Sequence, residues 1–219
     1  MKYYYIGFPK TGTQSIEKSL NNKVITNSHK IPYDIVFPNN NFFSFISIRE
    51  PIKYYISMYK YKVSSKDKVK NYGIMDNNTF NDFIQDYVLC NNIEKWEKPW
   101  MNNYRQKLIK QYVQGKNLNI GYFTILYIFY CYKNPENILK QNDIIEYIKN
   151  NKPDINHIVR LEYLQEDYQN LIKEYNYPYV NNFCHINQSN QSSNKIIYDD
   201  YLYLKKYDNY IYNTYYNLK

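Results

Sequence analysis

At 219 residues, with 44% hydrophobic and 19% aromatic side chains, the chain is long enough to fill one core and too apolar for intrinsic disorder, despite a mean hydropathy of -0.74. Thirty tyrosines reconcile these figures, because tyrosine scores as polar yet buries well. A net charge of +8 and a pI near 9.0 point to an anionic partner: nucleic acid, acidic glycan, nucleotide or membrane surface.

Residues 3–6 read as a strand running into Gly7. A turn of Gly, Pro, Lys and Thr follows, and Ile16 and Leu20 then recur at helical spacing. Strand, loop and helix over residues 6–20 make a ready anion site, because N–H groups in the first turn of a helix have no partner within it and lie at the positive end of its dipole. Residues 23–26 (KVIT) read as a second strand, with Asn27, Ser28 and His29 at its exit, and Pro32 opens a short helical or irregular segment. Residues 42–48 (FFSFISI) are a nearly continuous apolar run, the pattern of a central parallel strand buried on both faces. The run ends at Arg49. Pro51 then opens a helix with Ile52, Tyr55, Ile56 and Tyr59 as its apolar stripe.

Residues 64–78 form a polar, basic loop carrying Lys66, Lys68 and Lys70. Thr79 and Asp82 make a capping-box-like start, with Asp in place of the usual Glu, for a helix holding Phe80, Phe83, Ile84, Tyr87 and Val88. Trp96, Pro99 and Trp100 mark a turn before another helix at 102–114. Residues 64–117 therefore read as a helical insertion within a single domain, 1–219, whose lysines and Arg105 suit an acidic acceptor or form a solvated surface. Residues 118–132 (LNIGYFTILYIFYCY) fall short of the roughly 20 residues a spanning helix needs and read as a buried helix or strand. No signal-peptide pattern is seen, since Lys10 and the Gly turn interrupt the early apolar run, and the expected location is cytoplasmic. Cys90, Cys131 and Cys184, widely spaced among apolar residues without metal-site spacing, read as reduced buried thiols. A helix over 137–149, a strand over 157–161, a helix over 165–175, a polar loop over 187–194 and a long Tyr-rich helix from Ile196 complete the chain. This alternation predicts an α/β fold with a parallel sheet covered on both faces.

The general phosphate-loop pattern, Gly-x-x-x-x-Gly-Lys-Ser/Thr, is met at Gly7 and Gly12 and then missed. Thr13 stands where the lysine belongs, and Lys10 lies inside the loop. A Mg²⁺-dependent phosphotransferase also needs a strand-end Asp, whereas the central strand ends in Arg49. Alanine is absent, as codon bias in an AT-rich genome favours Asn, Lys, Ile and Tyr. Arginine is also scarce, with Arg49, Arg105 and Arg160 the only three, so each is a candidate for a role needing its planar fork.

An early lysine facing a cationic strand end resembles the sulfotransferases that use 3′-phosphoadenosine 5′-phosphosulfate (PAPS). The first loop of that family is matched by Pro9, Lys10, Thr11, Gly12, Thr13, Gln14 and Ser15. Its second element, an Arg at a strand end with Pro two residues on and Ser eight residues on, is matched by Arg49, Pro51 and Ser57. The likeness is nearest in appearance to the glycan (heparan and uronyl) 2-O-sulfotransferases, in which a histidine lies between the two elements, the place filled by His29. It is firm over residues 3–62 and loose over 79–100 and 156–176.

The resemblance implies a three-layer, P-loop NTPase-like fold with a central parallel sheet flanked by helices. It further implies metal-independent transfer of a sulfuryl group from PAPS to an acceptor hydroxyl, on a carbohydrate. Backbone N–H groups from Lys10 through Thr11 and Gly12 to Ser15 would hold the 5′-phosphate, with side-chain donors from Thr13, Gln14 and Ser15. Lys10 would reach the bridging and sulfuryl oxygens, and Arg49 and Ser57 would bind the 3′-phosphate, with Lys195 as a further contact. His29 would be the general base. Plainer readings stand beside these: exposed lysines, helix capping by Thr13 and Ser15, a strand-end salt bridge for Arg49, and structural roles for His29, His157 and His185. Glu162 and Asp167 either orient the acceptor or His29, or are a solvated helix start. Two other classes remain open, a P-loop nucleotide or sugar kinase with a variant loop and a non-catalytic nucleic-acid binder that uses tyrosines for stacking.

Overall fold

The computed structural model describes residues 2–20, 24–28, 42–64, 79–93, 103–116, 118–176, 178, 183 and 204–216. The protein is α/β, with a four-stranded, all-parallel sheet and helices. The strands are β1 (Lys2–Gly7), β2 (Ile25–Ser28), β3 (Phe42–Ile48) and β4 (His157–Arg160), in the order β2-β1-β3-β4. The helices are α1 (Thr13–Leu20), α2 (Pro51–Ser64), α3 (Phe80–Phe83), α4 (Asn103–Tyr112), α5 (Tyr122–Cys131), α6 (Pro135–Leu139), α7 (Ile144–Asn150), α8 (Leu164–Tyr175) and α9 (Asn209–Tyr215). The chain divides into two compact units, one of residues 1–50, 129–133 and 152–196, the other of 51–128, 134–151 and 197–219.

The first unit holds the sheet. Phe43 and Phe45 of β3 point to one face with Tyr5 of β1 and Val159 of β4, and Ile16 and Leu20 of α1 and Tyr168 and Leu171 of α8 cover them. On the opposite face Ser44 is also buried, its N–H and hydroxyl both donating to Oδ1 of Asn156, at 2.9 and 3.0 Å. Burial of β3 on both faces is what its unbroken apolar run predicted. Register places Gly7 opposite Ser28, Ile46 opposite Ile158 and Ile48 opposite Arg160, so the strands leave the sheet at one carboxyl edge.

In the second unit, the capping box forms as its spacing predicted: the Asp82 N–H donates to Thr79 Oγ1 at 3.1 Å, and the Thr79 N–H to Asp82 Oδ2 at 2.7 Å. That helix widens into a π turn over Ile84–Val88. Within residues 118–132 the helix α5 spans Tyr122–Cys131, buried throughout. The single helix expected at 137–149 is instead two, α6 and α7. Asp143 between them accepts the Glu146 N–H at 2.8 Å, and such a cap starts a new helix rather than continuing the old one. The second strand falls at Ile25–Ser28, shifted from the expected 23–26.

The start of α5 is capped from elsewhere in this unit. Asp208, fully buried, accepts the Thr124 N–H and hydroxyl on Oδ1, at 2.9 and 2.6 Å, and the Tyr55 hydroxyl on Oδ2 at 2.7 Å. The Tyr55 oxygen in turn accepts the Phe123 N–H at 2.8 Å. At Gly121 a Cβ would sit 2.5 Å from Asp208 Oδ2, so the residue before the helix must lack one. The C-terminal helix expected from 196 is accordingly interrupted at Asp208, and the Tyr207 carbonyl accepts the Gly121 N–H at 3.0 Å. Burial pushes the Asp208 carboxyl up to about 6, against the opposing pull of its Thr124 and Tyr55 donors.

Asp208→Ala should cost roughly 3 kcal/mol in urea unfolding, because it strands buried donors on Thr124 and Tyr55. Its folded-state value lies above the carboxyl's usual 3.8, so the native form binds the extra proton between about 3.8 and 6. Wild type should therefore gain stability relative to Asp208→Asn as pH falls from 7 to 5; a gap that widens in the opposite direction would refute this.

Candidate functional site

Parallel strands gather their succeeding loops at one edge. At the carboxyl edge of this sheet β1 is followed by the loop Phe8 to Gly12, β3 by Arg49 and Glu50, and β4 by a 3-10 turn, Leu161–Tyr163. From β1 the chain crosses to β2 on one side, whereas β3 lies on its other side. Such a reversal opens a crevice at the strand ends where α/β sheets hold ligands.

The loop is held from within. The Thr11 and Thr13 hydroxyls both donate to the Phe8 carbonyl, at 2.7 and 2.8 Å. Ser47 Oγ of β3 lies 2.8 Å from Thr11 Oγ1, 3.2 Å from the Thr11 carbonyl and 2.7 Å from the Tyr5 hydroxyl. Since each hydroxyl has one proton and Thr11 gives its own to Phe8, donation runs from Tyr5 to Ser47 to Thr11 to Phe8. Burial dominates at Tyr5 and pushes its hydroxyl up to about 12, so it stays a donor. The Thr13 side chain thus braces the loop instead of reaching outward.

Two residues of the loop have left-handed backbones, Lys10 at φ 59° and Gly12 at φ 75°. For glycine this costs little, but for lysine it is uncommon and mildly strained. Gly12 is doubly constrained, because a Cβ would meet Leu161 Cδ1 at 2.7 Å. Its carbonyl accepts the Ile16 N–H at 3.0 Å, which starts α1. Gln14 is exposed and Ser15 half-buried in that first turn.

Lys10 is half-buried, and its amine is lowered to about 8, first by burial and then by the nearby charge of Arg49. Arg49 in turn has its Nε 3.9 Å from Oε1 of Glu162, and both oxygens of Glu162 accept the Glu50 N–H at 3.3 Å. Lys10, Arg49, the Glu162 carboxylate and the first turn of α1 therefore share the edge. A donor set in which two cations are held together against desolvation and mutual repulsion fits a ligand with several negative charges.

Arg160 does not join them. Its guanidinium grips Asp167 through Nε to Oδ2 at 2.9 Å and through the terminal nitrogen to Oδ1 at 2.6 Å, and it lies 4.4 Å from the Tyr163 ring centre. Asp167 is thus a buried partner of the strand end and not a solvated helix start. His157, at the amino end of β4, is half-buried and lies 6.0 Å from the Tyr175 ring, with burial lowering its imidazole below the usual value. Ser57 belongs to the second unit, half-buried in α2. His29, Lys195, Cys184, His185, Trp96, Pro99, Trp100, the segment opened by Pro32, the polar loop at 187–194 and Lys66, Lys68, Lys70, Lys95 and Lys98 lie outside the described residues. Cys90 and Cys131 are buried and form no disulfide. Among the described residues, no group of three or more His, Cys, Asp or Glu could hold a metal, and no helix is long and apolar enough to cross a membrane.

Sequence reasoning offered Glu162 as an orienting group or a solvated helix start and did not pair it with Arg49. Its one signal was a carboxylate just beyond a strand end in a sheet where a neighbouring strand ends in Arg, and only the order β1-β3-β4 makes those ends neighbours.

Gly12→Ala should lose about 2 kcal/mol, from the left-handed backbone and the contact with Leu161. Ser47→Ala should lose a similar roughly 1–2 kcal/mol, from the Tyr5 and Thr11 hydrogen bonds. Urea midpoints within error of wild type for both would show that the loop is not braced in this way. Family models, curated proteins and solved structures give no match to the chain.

Proposed function

We propose that the protein is a PAPS-dependent sulfotransferase that moves a sulfuryl group to an acceptor hydroxyl, of carbohydrate type. The observation that carries the reading is the placement of half-buried Lys10 close enough to Arg49 to feel its charge, beside the first turn of the eight-residue helix α1. A lysine inside the loop and a cation at the next strand's end suit two separated anionic groups. The sheet, with helices and a phosphate-type loop after β1, supports a P-loop NTPase-like layering for the fold.

On this reading the first-turn N–H groups of α1 hold the 5′-phosphate, and the Arg49 guanidinium takes the 3′-phosphate. PAPS, when bound, supplies the sulfuryl group and a phosphate leaving oxygen. Lys10 donates to that oxygen as negative charge grows there. Its lowered value near 8 leaves it protonated at neutral pH and well matched to give up a proton. His29 takes the acceptor's hydroxyl proton while the sulfur–oxygen bond to the acceptor forms and the one to the phosphate breaks. Ser28, the residue before it in the chain, pairs with Gly7 at the same sheet edge as the loop.

Calorimetric titration with 3′-phosphoadenosine 5′-phosphate tests the reading. Wild type should bind without Mg²⁺, and Lys10→Met and Arg49→Ala should each weaken binding at least roughly tenfold. An absolute need for Mg²⁺, with ATP preferred, would replace the proposal with a kinase. No nucleotide binding, with polynucleotide binding that falls steeply with salt, would replace it with a nucleic-acid binder.

A bound anion should also restore the Lys10 proton affinity. Below its value of about 8 the free protein is already protonated there, and well above it a proton must be taken up on binding. Repeating the titration at pH 8.5 in buffers of different ionisation enthalpy should reveal proton uptake that is absent at pH 6.5 and absent in Lys10→Met. Equal enthalpies in all buffers at pH 8.5 would remove Lys10 from the contact.

A further inference from the structure

We infer that Glu162 is a specificity-determining residue, a resident counter-anion that holds Arg49 before the ligand arrives and that an entering anion must outcompete. This rests on the proposal that Lys10 and Arg49 form an anion cradle, and it adds a third wall to that cradle.

The wall is the 3-10 turn Leu161–Tyr163 after β4. Its first residue packs against the loop, with Leu161 Cδ1 2.7 Å from where a Cβ on Gly12 would lie. Its second residue sits 3.9 Å from Arg49 through Oε1 and accepts the Glu50 N–H through both oxygens. Glu162 is thus fixed by a backbone donor, not by Arg49 alone, and its 3.9 Å contact to Arg49 Nε is longer than a hydrogen bond. A phosphate oxygen could offer that buried Nε a hydrogen bond at shorter range than the pinned carboxylate's 3.9 Å. The carboxylate also offsets the repulsion between Lys10 and Arg49 in the free protein. Its charge repels every anion that approaches, so a ligand must bring more than a single negative charge to gain by entering. The chemical class selected is an organic phosphate dianion over monoanions.

Glu162→Gln separates charge from structure, because the amide oxygen can still accept the Glu50 N–H. The variant should keep the wild-type urea midpoint and bind 3′-phosphoadenosine 5′-phosphate about tenfold more tightly, with inorganic phosphate gaining as well. In an Arg49→Ala background the same change should bring little gain, since the competition is for that guanidinium. If wild type binds the nucleotide and Glu162→Gln binds it equally or more weakly, the counter-anion role falls and the sulfotransferase reading stands. If the nucleotide fails to bind but inorganic phosphate binds more tightly to Glu162→Gln than to wild type, the reading falls and the counter-anion role stands. Failure of both proteins to bind either anion overturns both.

Discussion

Parallel pairing of β1 with β3 and of β3 with β4 is the constraint on which the first unit depends. Strands that all run one way must leave the sheet on one side, so the residues that end them are gathered whether or not they attract one another. Lys10 and Arg49 do not. Their proximity is imposed by the backbone and tolerated because Phe43, Phe45, Tyr5 and Val159 bury so much apolar surface beneath α1 and α8. The loop that carries Lys10 is tied to the same pairing, for Ser47 reaches from β3 to both Tyr5 and Thr11.

Much of this was legible in the sequence, and the parts that were share a physical character. The span of β3, the proline start of α2 and the Thr79 cap all depend on residues close together in the chain, where period and hydrogen-bonding reach decide the outcome. Arg49 was found because a strand end is a local property. The pairing of Arg49 with Glu162 was not, because 113 positions separate them and only strand order relates them. The same applies to Asp208, which reads as one more polar residue in a Tyr-rich tail until α5 and α2 present it with Thr124 and Tyr55. The break between α6 and α7 was missed for the opposite reason: a local signal was present at Asp143, and the helical period on either side masked it.

The tyrosines show how a biased composition is put to use. Among the largest fully buried side chains are Tyr5, Tyr54, Tyr55, Tyr87, Tyr122, Tyr127, Tyr130 and Tyr168. A core filled this way must find partners for its hydroxyls. Tyr5 finds Ser47, Tyr54 lies 3.3 Å from the Tyr87 hydroxyl, Tyr127 pairs with Tyr215 at 2.7 Å, and Tyr168 donates to the Pro178 carbonyl at 2.8 Å. In a core of leucine these bonds would be absent and harmless. Here they fix which ring faces which strand, so the interior specifies its own arrangement through polar atoms as well as shape.

The fully buried Asp208 and the half-buried Lys10 are handled in contrasting ways, and the contrast bears on function. Asp208 is surrounded by donors within its own unit, and its network closes on itself with nothing presented outward. Lys10 sits in a strained backbone conformation, loses proton affinity to burial and faces a second cation. The Glu162 carboxylate at this edge accepts the Glu50 N–H and lies beside Arg49. Strain, desolvation and like charge converge on one side chain where the first-turn N–H groups of α1 also lie. On the proposed reading, the arrival of a multiply charged anion would offset the desolvation and the like charge.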